Sequence, residues 1–375
     1  MASDNLVSLF AKQLREKFAP LIPADRPVAL VDYPDAANSG DHAIWLGEKK
    51  LLADLGVTVA YECSVQTYSR DAMAAKLGNG TILMQGGGNF SDRHPLSHEF
   101  RIKVLQDFPD NKAILFPQQA TFLDNDYLQR SAELIGKHPR VTLFARGLMT
   151  EHLFNRYFGS NAAIETAPDM AFMLGPQTRL SEPKYDIVWL ARTDRDGANN
   201  QTEAAARLSS QAAEKFFLPR FPDSVEIHAA IKHRPPTVLL TDWYSLFFEN
   251  EQARNAYNRL DFDGRSQASL TRALYMLSLG RLVITDRLHG HIFCLLLGIP
   301  HVFLNNDHGK NWDFYETWTR QSPLCRLARD PQEAWSLARN ALPKLKDGIA
   351  SDWSWQGTAA DAPAPAKKKN SGIRW

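Results

Sequence analysis

The chain is poor in cysteine. Cys63, Cys294 and Cys325 are the three in 375 residues, and they show neither a paired framework nor metal-ligand spacing, which suits a reducing compartment. Charge of one sign is also missing. Lys+Arg 43 against Asp+Glu 42 leaves a formal charge of +1, so there is no global field for nucleic acid, and an anionic ligand must be held by local groups. No apolar run approaches the roughly 18 residues of a membrane span, and the opening MASDNLVSLFAKQLREKF has no signal-peptide core. Several catalytic signatures are absent as well: GxGxxG, GK[ST] after a glycine loop, GxSxG and HExxH. What is present is globular composition, 44% hydrophobic and 23% charged. At roughly 100–200 residues per domain the length fits two domains. The expectation is a cytoplasmic protein, with peripheral attachment to the inner membrane surface as an option.

Short β-branched runs alternate with helical patterns. VALVDY (28–33), VTVAY (57–61), TILMQ (81–85), KAILF (112–116) and VTLFA (141–145) read as strands buried on both faces, because their apolar residues are nearly continuous. Between the first two, Ile44, Leu46, Leu51, Leu52 and Leu55 form one helical face, and Gly56 supplies the stop. GPQTRLSEPK (175–184) is polar and aperiodic, a linker. A second series follows with DIVWLA (186–191), TVLLTDW (237–243), RLVITD (281–286) and HVFLN (301–305). Repeated βα units predict an α/β chain of two Rossmann-like, doubly wound domains, at 1–175 and 185–345, facing a cleft. Residues 351–375, with Lys367, Lys368 and Lys369, read as a solvated tail, and contact with anionic lipid is the alternative.

The chemistry-bearing residues follow strands. TDRLHGH places Arg287, His289 and His291 between RLVITD and an apolar helix, where open α/β sheets bind ligands. Arg287 can grip a phosphate or carboxylate with two parallel hydrogen bonds, and His289 can donate a proton near neutral pH. The structural alternative is an arginine paired with Asp286 and a capping histidine. An extended backbone would put Arg287 and His289 on one side of the chain. Arg192 ends DIVWLA and could complete a two-arginine clamp, or pair with Asp194 or Asp196 at the surface. In the first half, NSGDH (Asn38, Gly40, Asp41) and MQGGGNF (Gly87, Gly88, Asn89) follow strands. The glycine triplet permits close backbone approach or positive φ, and Asp41 is either a helix cap or a functional carboxylate. His94 and His98 share a helix face without the rest of a zinc motif. Trp312, Phe314, Tyr315 and Trp318 read as core more readily than as a sugar platform.

Taken in order, NSGDHAI, ILMQGGGNF, LFPQQATF, LFARG, TAPDMAF, WLART and TDRLHGHIFCLLLGIPHVFLNN resemble the polysaccharide pyruvyl transferase family, over about residues 27–320. The resemblance implies a GT-B-like pair of Rossmann-type domains. It implies transfer of pyruvate from phosphoenolpyruvate to two hydroxyls of a sugar on an exopolysaccharide or cell-surface glycan, as a cyclic ketal. It implies a donor held by Arg192, Arg287 and His289 in the second domain. The acceptor, an oligosaccharide, free or carried on lipid, then faces the first domain, with Asn38, Gly40, Asp41, Gly87, Gly88, Asn89 and His291 as cleft-lining residues. The chemistry agrees: phosphoenolpyruvate has two anionic ends for two cations, His289 could protonate C3 or assist phosphate departure, and Asp41 could deprotonate the sugar. No metal or cofactor is required. The competing readings are a nucleotide-sugar glycosyltransferase on the same fold and a non-catalytic glycan-binding relative.

Overall fold

A computed structural model of the chain describes residues 2–35, 38–192, 204, 207–208, 225–227, 236–243, 251–306 and 309–345. Thr193, Asp194, Asp196 and the 351–375 tail lie outside the described residues. The first half comprises helices α1 (Ala2–Phe18), α2 (Ser39–Asp54), α3 (Arg70–Leu77), α4 (Pro95–Asp107), α5 (Asn125–Gly136) and α6 (Leu148–Tyr157), and strands β1 (Val28–Tyr33), β2 (Val59–Ser64), β3 (Thr81–Met84), β4 (Gly87–Ser91), β5 (Ala113–Thr121), β6 (Val141–Ala145) and β7 (Ala163–Thr166). The strands form one sheet in the order β2-β1-β3-β5-β6-β7, with β4 added beside β5. Every pairing in it is parallel.

The second half has β8 (Tyr185–Leu190), β9 (Val225–Ile227), β10 (Val238–Thr241), β11 (Gly280–Thr285), β12 (His301–Leu304) and β13 (Cys325–Ala328), with helices α7 (Glu251–Asn258), α8 (Phe262–Ser278), α9 (Leu288–Leu297), α10 (Lys310–Phe314) and α11 (Pro331–Ala341). Its sheet runs β13-β12-β11-β8-β10-β9, parallel except for the β9 edge. Residues 175–184 form neither helix nor strand. The two Rossmann-like sheets give the chain its α/β, GT-B-like fold.

Both sheets are doubly wound, and each has a strand from which the chain departs in opposite directions. In the first, β1 lies between β2 and β3; in the second, β8 lies between β10 and β11. The crevices at the carboxyl ends of β1/β3 and β8/β11 are the switch points where such sheets take ligands. The halves are not insulated from each other. One hydrophobic cluster contains Leu30, Leu83, Phe116 and Phe144 of the first sheet together with Val188, Leu190, Leu239 and Val283 of the second. Helices α2 and α8 cross-link the halves through Ser39–Ser269 (3.1 Å), His42–Ser266 (3.0 Å) and Trp45 Nε1 donating to Asp263 (2.9 Å). Among the described residues no helix is long and apolar enough to cross a membrane.

Candidate active site

The turn after β1 opens α2. Asn38 has extended backbone, its Oδ1 accepts the Gly40 amide at 3.2 Å, and its Nδ2 donates to Asp41 Oδ2 at 2.9 Å. Asn38 is therefore the cap that the sequence reading offered as one role for Asp41. Asp41 stands in the first turn, half-buried, with its carbonyl receiving Gln85 Nε2 at 2.8 Å. The glycine triplet after β3 is not simply a loop: Gly87 has φ +117 and starts strand β4, which carries Gly88 and Asn89. A Cβ on Gly87 would lie 3.6 Å from Asp41 Oδ1, and one on Gly88 would lie 3.7 Å from Arg146 Nη2, so this strand closes over both groups. Beneath it the fully buried Glu48 accepts the Gly86 amide at 2.8 Å, and burial pushes the Glu48 carboxyl well above the usual range.

In the second half, Arg192 follows β8, and Arg287 and His289 follow β11, at the second switch point. Arg287, 4% exposed, pairs with Asp242 at the end of β10, through Nε to Oδ1 and through Nη2 to Oδ2 at 2.7 Å. Its carboxylate partner is thus Asp242 rather than Asp286. Asp286 instead accepts the Arg192 amide at 3.0 Å. Burial raises Asp286 to about 6, with Arg287 and Arg192 both pulling the other way, so the two arginines converge electrostatically on that carboxylate. Arg287 and His289 do not share an extended segment. Arg287 is the extended N-cap of α9, and His289 lies in the helix's first turn.

His291 does not line the cleft. It is 0% exposed, stacked on Phe303, with Nδ1 2.7 Å from His301 Nε2 and Nε2 2.9 Å from Thr319 Oγ1. His301 Nδ1 must donate to the Ile299 carbonyl, 2.9 Å away. That fixes the chain of donors: His291 Nδ1 donates to His301, and Thr319 donates to His291. The relay satisfies both rings, and burial holds His291 well below its ordinary pKa. The two-residue step from His289 turns the side chain by about 200° on a helix, which sends His291 into the core.

The halves meet at His289, which is 8% exposed. Its ring rests against the first turn of α2: a Cβ on Gly40 would fall 2.2 Å from Nδ1 and 2.4 Å from Cγ. Nε2 faces Asp169, 3.4 Å from Oδ2, an ion-pair distance without hydrogen-bond geometry. Asp169, 1% exposed, also takes Arg146 Nη1 at 2.6 Å on Oδ2 and the Ala171 amide at 2.9 Å on Oδ1. Burial alone would raise this carboxyl, but His289, Arg146 and that amide hold it below the usual carboxylate range. From the second half, Asp313 Oδ1 accepts the Met149 amide at 3.1 Å, and Trp318 Nε1 donates to the Arg146 carbonyl at 2.9 Å. Phe314 and Tyr315 are buried, and Trp318 packs edge-on against Phe10, so these aromatics belong to the core. Arg146 and Asp169 sit in LFARG and TAPDMAF, each just after a strand. Their position after a strand, with Gly147 following Arg146, was a signal, yet neither stands beside a second titratable residue, and only the fold joins Arg146 through Asp169 to His289.

A family profile described as polysaccharide pyruvyl transferase matches residues 38–308. The chain is 30% identical over 303 residues to Pyruvyl transferase 1 of Schizosaccharomyces pombe, covering 78% of this chain and 70% of that one. It is 29% identical over 331 residues to EpsO of Bacillus subtilis, covering 87% and 95%. Among solved structures, an uncharacterized protein from Klebsiella pneumoniae, KP1_0663, superposes with a TM-score of 0.52 at 20% identity, over 87% of this chain and 99% of that one, which is a likeness of fold.

Proposed function

The chain belongs to the polysaccharide pyruvyl transferase family and is a transferase, and on that premise we propose that it moves pyruvate from phosphoenolpyruvate to two hydroxyls of one sugar in an exopolysaccharide or other cell-surface glycan. The observation that carries the reading is the seat of His289 on Gly40. It joins the switch point of the first sheet to that of the second, so one ligand can touch both.

Phosphoenolpyruvate brings a phosphate and a carboxylate to Arg192 and Arg287. Asp242 holds the Arg287 guanidinium in a fixed plane before the ligand arrives, which favours bidentate recognition. His289 gives a proton to C3, and C2 becomes an oxocarbenium-like centre. The first sugar hydroxyl adds there, with its proton passing to Asp41. Phosphate leaves with the C–O electron pair, and the second hydroxyl closes the ketal as inorganic phosphate carries off the remaining proton. A proton donor placed in this way contributes about 10²–10⁴-fold. No step calls for a metal or an organic cofactor. Acceptors, free or lipid-linked at the inner membrane surface, enter from the Asn38–Asp41 and Gly87–Asn89 side.

The test is incubation with phosphoenolpyruvate and a panel of synthetic and lipid-linked oligosaccharides. The expected result is the pyruvyl-ketal mass gain with one phosphate released per ketal, lost in His289→Ala. Stabilisation by a nucleotide sugar and not by phosphoenolpyruvate would replace this reading with glycosyl transfer. Sugar binding without phosphate release would replace it with a glycan-binding role.

A further inference from the structure

His289 has two nitrogens in different surroundings. Nε2 is a fully buried atom without a hydrogen bond, aimed at the Asp169 carboxylate 3.4 Å away. Nδ1 lies beside Gly40, at the first turn of α2 and on the side of the cleft that carries Asn38 and Asp41. Asp169 is itself immobilised: the Ala171 amide holds one oxygen and Arg146 holds the other, and Trp318 anchors the Arg146 carbonyl from the second half. A carboxylate fixed on one nitrogen of an imidazole selects the tautomer with hydrogen on that nitrogen and leaves the other to exchange protons.

We infer that Asp169 is the positioning residue of this site: it holds His289 as the Nε2–H tautomer, so that Nδ1, beside Gly40, is the nitrogen that delivers the proton. The assignment rests on the pyruvyl-transfer reading for the identity of the proton acceptor, C3 of the donor. The balance is simple. The imidazolium carries hydrogen on both nitrogens, Nδ1–H breaks as the C3–H bond forms from the C2–C3 π pair of the enol phosphate, and the neutral ring remains as the tautomer Asp169 favours. Contact shortening from 3.4 Å to hydrogen-bond distance needs only a small swing of the ring, well within the closing movements that ligands induce.

Nitrogen-15 NMR of the histidine-labelled protein tests this, with the His289 signal assigned by its loss in His289→Asn. Above the titration range the wild-type ring is expected as the Nε2–H tautomer, and an Nδ1–H tautomer overturns the inference. In Asp169→Asn the tautomer ratio is expected to relax and kcat to fall by about 10–100-fold, with phosphoenolpyruvate affinity preserved. Unchanged ratio and unchanged kcat overturn it. Should Asp169→Asn fail to fold, the wild-type spectrum alone decides. An Nε2–H ring in a protein that transfers no pyruvate would defeat the donor reading and leave the role of Asp169 standing.

Discussion

Replacing Gly40 with alanine adds one methyl group at the point where the two halves touch. Built on the present backbone, it would lie 2.2 Å from His289 Nδ1, 2.4 Å from Cγ and 2.9 Å from Cβ. Carbon contacts settle near 3.5–4.0 Å, so the gap must open by more than about 1 Å. Rotation of the ring cannot supply it, because the root of the side chain is in the way as well; α2 or α9 has to move. Gly40 is helical and its φ is not in the left-handed region, so alanine is allowed by the backbone and favoured by about 0.5–1 kcal/mol in helix propensity. Overpacking of this kind costs about 1–3 kcal/mol. The gain offsets only part of the cost, leaving a net destabilisation of up to about 2.5 kcal/mol, and the melting temperature should fall accordingly. Turnover should not be spared. A misplacement of about 1 Å costs on the order of 10²-fold, and that is the expected loss in kcat, with a smaller change in the KM for phosphoenolpyruvate. The assay is steady-state pyruvyl transfer beside thermal denaturation on the same preparation. Wild-type kcat with an unaltered melting temperature would refute the argument, since His289 would then not be seated on Gly40 in the working enzyme.

Arg287→Lys keeps the charge but loses the paired bonds to Asp242, so stability by chemical denaturation should drop by about 1.5–3 kcal/mol together with donor affinity by calorimetry; no change in either would mean the pairing is incidental. Glu48→Gln addresses pH. Burial pushes the Glu48 carboxyl well above the ordinary 4.5 that the unfolded chain keeps, so the folded state holds its proton more tightly and wild-type stability falls as pH rises above that ordinary value. The Gln variant, whose carbonyl can still accept the Gly86 amide, should gain on the wild type in melting temperature as pH rises above that ordinary carboxylate value, and parallel curves would contradict this. His291→Ala should cost about 1–3 kcal/mol for each orphaned partner, His301 and Thr319, while phosphoenolpyruvate affinity stays unchanged; a selective loss of donor binding would return His291 to the cleft.

The strands were legible wherever burial on both faces left a continuous apolar run. VALVDY and VTLFA are β1 and β6 to the residue, and the other predicted runs lie within a few residues of their strands. The strands the sequence does not mark lack that signature: β4 is built on glycines, the edge strand β7 is largely solvent-facing, β9 is only 3 residues long, and the apolar run of β13 is interrupted by Arg326. The site was half legible for a similar reason. Arg192, Arg287, His289, Asn38 and Asp41 follow strong strands beside recognisable turn or helix-start residues. Arg146 and Asp169 also follow strands, but their importance comes from a chain of contacts in which Arg146 holds Asp169 and Asp169 faces His289, 120 residues further along the sequence.

Sequence by itself determined the α/β class, the order of the main strands and the clustering of cationic residues at their carboxyl ends, because period and turn chemistry are local properties of the chain. Tertiary structure decided who pairs with whom. Asp242 and not Asp286 takes Arg287, Asn38 and not Asp41 caps α2, and His291 turns into the core while His289 meets Gly40 and Asp169. Those outcomes depend on how two sheets and helix α2 pack around a shared hydrophobic cluster, and a helical turn of about 100° per residue converts a small error in the start of α9 into the opposite face.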